Sequence, residues 1–280
     1  PAFPEVTLTM ENGKKIEVKT IKSSPDAKYI QSVVLNGKVL DRTWIRHAEI
    51  AEGATIIYYL TNQPQQWNIQ PFGIDRGGVQ PFGVNLAGAE FFHKKMEGVG
   101  RFNKDYYYPT TDELDYWHSK GLTLIRLPFK WERIQRKLYG ELNREEIDYI
   151  KFLLAEADKR GMQILIDMHN YGRRKDDGKD RIIGDSLSID HFASAWGLIS
   201  KELKDCKGLY GYGLINEPHD MLESTPWTEI AQAAIDTIRR YDTRTAIVVG
   251  GNHWSSAERW QVVSDELKSL YDPSHNLIFE

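Results

Sequence analysis

The most informative stretch of this 280-residue chain is the tetrapeptide Asn216-Glu217-Pro218-His219. A carboxyl group at the carboxyl end of a strand, flanked by apolar residues, loses solvation. Burial then raises its pKa toward the range in which it serves as a general acid near neutral pH. Asn216 can hydrogen-bond a substrate hydroxyl and Pro218 stiffens the turn, although a glutamate here could equally form a plain ion pair. Arg126, inside the apolar run Ile125-Arg126-Leu127-Pro128, needs an acceptor if buried, so it either orients a catalytic carboxylate or forms a structural ion pair. His169, His219 and His253 each follow an apolar run and could converge on one face. None stands in His-x-His or His-x-x-x-His spacing, so hydrogen-bonding histidines in a polar cleft are preferred over a metal site, and no metal or cofactor is expected. Tyr171, Trp254 and Trp131 sit among polar neighbours such as Asn170. Rings in such places stack on the C–H faces of sugars while Asn, His and Arg bind the hydroxyls. Core packing is the ordinary alternative for Trp131, and also for Trp117 and Trp196 in helical stretches.

Two unlike regions must position these groups. Residues 1–68 read as a small β-sandwich-like module and linker. A period-two run at 6–10, strand-like runs at 15–19, 29–35 and 38–40, and an apolar β-branched run at 54–60 are punctuated by Asn12-Gly13 and Asn36-Gly37 turns, and a polar linker with a proline follows at 63–68. From 69 to 280 the rhythm is strand, helix, strand. Strands are expected at 82–87, 122–127, 163–168, 211–215, 246–250 and from 277, and helices from 111 (capped by Thr110 or Thr111) and over 145–159, 189–203 and 227–240. Gly121, Gly161 and Gly208 act as stops. Strands apolar on both faces and alternating with helices mean a helix-covered parallel sheet. An open doubly wound sheet would place a glycine fingerprint after its first strand, and Gly77-Gly78-Val79-Gln80-Pro81-Phe82-Gly83 lacks the spacing. The polar residues instead cluster just after successive strands, which is the grammar of a (β/α)8 TIM barrel.

Composition excludes several function classes. Lys+Arg 36 against Asp+Glu 40 gives a net charge of -4, with no electrostatic reason to expect nucleic acid or an anionic membrane as partner. No apolar run approaches the length of a membrane span, and one cysteine, Cys206, excludes an internal disulfide framework. The chain opens on Pro1, so a leader has been removed or the sequence begins within a longer protein. The 8 Trp and 14 Tyr suit a cleft of stacking rings.

Four motifs carry a family resemblance. Arg126-Leu127-Pro128-Phe129, Asp167-Met168-His169-Asn170-Tyr171, Asn216-Glu217-Pro218-His219-Asp220 and Gly251-Asn252-His253-Trp254 occur in the order seen in family 5 glycoside hydrolases. They look most like its endo-β-1,4-glucanase (cellulase) branch, over roughly residues 72–280. The resemblance implies a retaining hydrolase with Glu217 as acid/base, Arg126 and His169 supporting the active-site carboxylates, and Asn216 on the sugar 2-hydroxyl. Trp254 would be a platform for glucose rings, with Asn170, Tyr171 and His219 at the substrate. A β-linked polysaccharide or oligosaccharide is the implied partner, and a secreted, periplasmic or cell-surface location the implied setting. In the family the nucleophile is a glutamate after strand 7, with a His or Tyr after strand 6 and a Trp after strand 8. Here the sequence reaches only the start of strand 6, and neither Glu280 nor Asp167 matches the nucleophile. The expectation is therefore a truncated barrel, silent by itself, whose nucleophile lies in a missing C-terminal segment or a second chain. A non-catalytic glycan-binding protein, a β-mannanase and a mixed-linkage glucanase are the alternatives. Residues 1–66, through Tyr29-Ile30-Gln31-Ser32, Leu35-Asn36-Gly37-Lys38 and Arg42-Thr43-Trp44-Ile45-Arg46-His47, resemble the C-terminal β-domain of family 92 α-mannosidases. No mannosidase activity carries over from that likeness; a supporting or carbohydrate-binding module does.

Overall fold

Alternation of period two builds the first part of the chain. The computed structural model describes residues 3–42, 45–64, 82–92 and 98–280. The chain divides into two compact units, Pro1–Gln80 and Pro81–Glu280. The expected boundary at 68/69 and most of the 63–68 linker lie outside the described residues. Strands β1 (Glu5–Thr9), β2 (Lys15–Lys22), β3 (Tyr29–Leu35), β4 (Lys38–Val39) and β5 (Ala54–Thr61) form one mixed sheet in the order β1-β2-β5-β3-β4, in which β2 and β5 run parallel. Asn36 and Gly37, with φ of 48° and 81°, make the two-residue turn that pairs Leu35 with Lys38. The described strands thus make a single sheet rather than two facing ones. Ile16, Val33, Leu35, Ala54 and Ile56 form its small core, against which Leu40, Ile45 and Ile50 from the β4–β5 connection pack.

The second unit alternates β6 (Gly83–Asn85), α1 (Thr111–Ser119), β7 (Leu124–Phe129), α2 (Trp131–Ile134), α3 (Arg144–Lys159), β8 (Gln163–Met168), a hairpin of β9 (Arg173–Asp176) and β10 (Lys179–Ile182), α4 (Ile189–Leu203), β11 (Leu209–Gly213), α5 (Trp227–Arg239), β12 (Ala246–Val249) and β13 (Leu277–Phe279). Six of these strands make one sheet, ordered β6-β7-β8-β11-β12-β13, and every pair is parallel. Each strand lies beside its predecessor. A doubly wound sheet reverses direction part-way, whereas a barrel winds monotonically, so the order selects a partial (β/α) barrel preceded by a small β domain.

Local chemistry explains the element ends. Thr110 caps α1: its Oγ1 accepts from Glu113 N, while the Glu113 carboxylate accepts from Thr110 N at 2.8 Å. Ile147, Ile150, Leu153, Leu154 and Ala157 line the buried stripe of α3. Gly208, expected as a helix stop, has a packing reason instead, because a Cβ there would sit 2.0 Å from the Leu154 carbonyl oxygen of α3. Trp131, Trp196 and Trp227 are fully buried. The Trp196 and Trp227 Nε1–H groups donate to the carbonyls of Leu214 and Gly250, which fastens helices α4 and α5 to the segments leaving β11 and β12. Trp131 is therefore a core residue and not a cleft ring. No helix among the described residues is long and apolar enough to cross a membrane.

The segment leading into β13 is pinned by a buried pair. Arg239, at the end of α5, donates Nε and Nη2 to the two Asp272 oxygens at 2.7 and 2.8 Å, and both side chains are almost wholly buried. Burial opposes ionisation of Asp272. Arg239 and the backbone N–H groups of Ser274 and Asn276 outweigh it and hold the carboxyl at about 2. A carboxylate lowered from its ordinary value near 3.9 contributes stability above that value and loses it as the pH falls toward 2, here about 2 kcal/mol. Urea unfolding of wild type and Asp272→Asn should therefore show a stability gap at pH 6 that closes by about pH 2. A gap independent of pH would contradict this assignment.

Candidate active site

All six strands run parallel, so their carboxyl ends lie at one edge of the sheet, and the carboxyl ends of β6, β7, β8, β11, β12 and β13 carry the polar groups. Period two along β7 buries Ile125 and Leu127 on one face and sends Arg126 to the other. Arg126 joins four strand ends. Nη1 donates to Asn85 Oδ1 at 2.9 Å at the end of β6, and Nη2 lies 2.7 Å from Asn216 Oδ1 beyond β11 and 3.0 Å from Asp167 Oδ2 on β8. Nε is buried without a hydrogen bond and lies 3.8 Å from Glu280 Oε1 beyond β13. Since the Asn216 oxygen is engaged, its amide N–H groups are the ones left to donate to a ligand.

Asp167 is 2% exposed and anchors a second line of bonds. Its Oδ2 accepts from His169 Nδ1 at 2.9 Å, which fixes His169 Nε2 as the acceptor of the Tyr171 hydroxyl at 3.0 Å. Burial raises the Tyr171 phenol above its ordinary value, and the charges of Glu217, Glu90 and Asp167 add to this. The same carboxylates act on Glu280. Its pKa is raised chiefly by burial and further by Asp167 and Glu217, with Arg126 opposing. Glu280, Asp167 and Glu217 thus share one electrostatic neighbourhood around Arg126.

Glu217 is half-buried, at φ 44°, between the buried Asn216 and Pro218. Tyr171 (58°), His253 (50°), Trp254 (60°) and Ser255 (51°) are left-handed too. Such backbone costs on the order of 1–3 kcal/mol per residue and persists only where surrounding structure holds it. Several contacts supply that support: Tyr171 N donates to Asn216 O, Asn216 N to Met168 O and Trp254 N to Pro218 O. A Cβ at Gly250 would come within 2.8 Å of Ser255 Oγ and 3.3 Å of the Ile215 carbonyl oxygen, so a larger residue would displace the Ser255 side chain.

Most of the expected site residues meet here: Glu217, Arg126, His169, Asn216, Tyr171, His219 and Trp254. Trp254 is 49% exposed, with the His219 ring stacked on it at 4.6 Å. Asn170 behaves differently from its expected substrate contact. It is buried, its Oδ1 accepts from Trp131 N at 2.9 Å and its Nδ2 donates to Glu132 at 2.8 Å, so both polar ends serve the β7–α2 junction. Sequence reasoning missed Lys130, whose Nζ donates to the His169 carbonyl and lies 5.2 Å from the Tyr171 ring centre. Burial lowers its pKa. The signal was a lysine directly after the apolar end of β7. Also missed was the β9–β10 hairpin, announced only by Asp177-Gly178, whose φ values are 47° and 75°. Among the described residues no group of three or more His, Cys, Asp or Glu side chains is gathered to hold a metal ion.

Comparison with known proteins follows the same division of the chain. Residues 80–280 match the family described as cellulase (glycosyl hydrolase family 5). The chain belongs to glycosyl hydrolase family 5. Family 5 relatives include the endo-β-1,4-glucanase B of Emericella nidulans, 32% identical over 182 residues, and the probable endo-β-1,4-glucanase B of Neosartorya fischeri, 31% identical over 183. Each alignment covers 65% of this chain and 53% of the relative, so the chain spans about half the length of the curated relatives it matches. Among solved structures, Pseudomonas stutzeri endoglucanase Cel5A in complex with cellobiose is 37% identical with a TM-score of 0.65, covering 73% of this chain and 60% of its own. XacCel5A in complex with cellopentaose is 35% identical with a TM-score of 0.64, covering 71% and 63%. Residues 1–62 match the model described as glycosyl hydrolase family 92 catalytic domain.

Proposed function

We propose that this chain is part of a retaining, endo-acting β-1,4-glucan hydrolase in which Glu217 is the general acid/base. The reading rests on one observation above all: Arg126 ties Asn85, Asp167 and Asn216 together beside Glu217 at the carboxyl end of a parallel sheet. In that arrangement Glu217 protonates the glycosidic oxygen and later takes a proton from water, as retaining hydrolysis requires. Asn216 donates to the sugar 2-hydroxyl, Tyr171 and Arg126 shape the field around the nucleophile, and Trp254 stacks on a glucose ring. The names of the family 5 relatives favour β-1,4-glucan over mannan or mixed-linkage glucan as substrate.

The nucleophile is proposed to come from a segment outside these 280 residues. Around the site Asp167 is committed to Arg126 and His169, and buried Glu90 accepts from Gly88 N at 2.7 Å. Glu280 holds its proton more tightly than an ordinary glutamate. This arrangement also favours a second reading, a glycan-binding protein without turnover. A polymer of glucose does not cross a membrane, so the proposed site of action is outside the cytoplasm. The test is release of reducing ends from carboxymethylcellulose by the full-length protein, with the product anomer followed by NMR. Early β-anomer supports the proposal; early α-anomer overturns retention. Binding of cellohexaose without release of reducing ends by the full-length protein selects the second reading.

A further inference from the structure

His219 was expected to touch substrate, but its surroundings give it different work. Its ring lies nearly parallel to Trp254, with centres 4.6 Å apart and planes at 14°. Both ring nitrogens are engaged within the protein. Nδ1 lies 2.8 Å from Asp220 Oδ2, which makes it the donor, and Nε2 lies 3.4 Å from Arg173 Nη1, from which it accepts. The backbone is held as well: Arg173 Nη1 donates to the carbonyls of His219 at 3.0 Å and Tyr171 at 2.7 Å. Asp220 Oδ2 in turn lies 3.9 Å from Arg173 Nη2. Nδ1 is thus committed to Asp220, Nε2 faces the Arg173 guanidinium, and one face of the imidazole is spent on the indole.

Trp254 needs such a support. Its backbone is left-handed (φ 60°, ψ 34°), as is that of His253 before it and Ser255 after it, a conformation that a bulky aromatic residue disfavours. Beyond its own turn, its main chain is fastened by the 3.3 Å bond from Trp254 N to Pro218 O, one residue before His219. The indole is half exposed, with the His219 ring stacked on one face and the His253 ring edge-on at 6.1 Å.

We infer that His219, bracketed by Arg173 and Asp220, is a positioning residue that backs the Trp254 platform, fixing its orientation and leaving one face to stack on a sugar ring. This inference rests on the reading of Trp254 as a glycan platform given above, and its test separates the two. The Trp254 signal is isolated as the difference between each protein and the same protein carrying Trp254→Phe. Without ligand, His219→Ala should raise acrylamide quenching of that signal roughly twofold, since a second indole face opens. His219→Phe should restore the wild-type value. Arg173→Met, which removes the bracket and keeps the ring, should loosen the platform in the same direction. With cellohexaose, His219→Ala should weaken binding about tenfold, the scale of one lost aromatic contact, and His219→Phe should recover it to within about twofold. Wild-type quenching in His219→Ala overturns the positioning role and leaves the proposed function standing. Equal loss of affinity in His219→Phe and His219→Ala also overturns it, because the imidazole would then be touching sugar. Absence of cellohexaose binding by every protein, wild type included, sinks the platform reading, while the quenching comparison still decides whether His219 backs Trp254. Should His219→Ala fail to fold, Phe and Arg173→Met carry the comparison.

Discussion

Glu217→Gln in the full-length protein is expected to lower kcat on β-1,4-glucan about 10²–10⁴-fold, the usual worth of a positioned acid/base, while leaving cellohexaose affinity within about twofold. Glutamine keeps the shape of the side chain in its half-buried, left-handed position, so the Tyr171 and Trp254 loops need not move. It can neither protonate a leaving oxygen nor accept a proton from water. The loss should depend on the leaving group. An aryl cellobioside with an acidic phenol needs no protonation, so its first step should be nearly spared and its second, base-assisted step should limit turnover. Equal losses on glucan and on the activated aryl substrate, measured in the pre-steady state, would point to a positional role. Wild-type turnover would remove Glu217 from the mechanism.

Asp167→Ala is expected to cost about 3–5 kcal/mol of stability, the range for stripping one partner from a buried ion pair. Asp167 is 2% exposed and Arg126 19%, so the arginine would lose its closest, buried counter-charge. Its remaining hydrogen-bond acceptors, Asn85 Oδ1 and Asn216 Oδ1, are neutral, and Glu280, 3.8 Å from Nε and itself 48% exposed, makes only a longer contact. His169 would lose the acceptor that fixes its tautomer, and Tyr171 would lose a defined partner. Two controls separate charge from shape. Asp167→Asn retains an oxygen at the junction without the charge and should recover part of the loss. Arg126→Met combined with Asp167→Ala removes both charges and should be more stable than Asp167→Ala alone. Urea unfolding of wild type, Asp167→Ala, Arg126→Met and the double variant closes the cycle. Simple additivity of the two single changes would mean that Arg126 and Asp167 do not depend on each other.

Several features were legible residue by residue. The capping box at Thr110, the Asn36-Gly37 turn and the helix over 189–203 depend on neighbours within a few positions, and sequence carries that information directly. The strand expected at 211–215 runs instead over Leu209–Gly213. Leu214 and Ile215 are apolar because they are buried beneath the site, not because they continue the ladder. Apolar character reports burial, and only hydrogen-bond partners define a strand. The β9–β10 hairpin escaped notice for the opposite reason. Its strands, Arg-Arg-Lys-Asp and Lys-Asp-Arg-Ile, lack the hydrophobic alternation that ordinarily marks a hairpin.

By itself the sequence determined the alternation of strands and helices, the placing of Arg126, His169, Glu217 and Trp254 at strand ends, and the likeness to family 5, since each depends on short-range pattern or on motif order. Only the tertiary structure decided what these residues do to one another. Arg126 meets Asn85 across 41 positions and Asn216 across 90. No local pattern could tell that Asn170 braces the β7–α2 junction while Asn216 gives its oxygen to Arg126. Nor could it show that His219, two residues after Glu217, turns both ring nitrogens toward protein and its face toward Trp254. The physical reason is that a side chain's type sets which bonds it can form, whereas the monotonic winding of a parallel sheet sets which distant partner is within reach to form them.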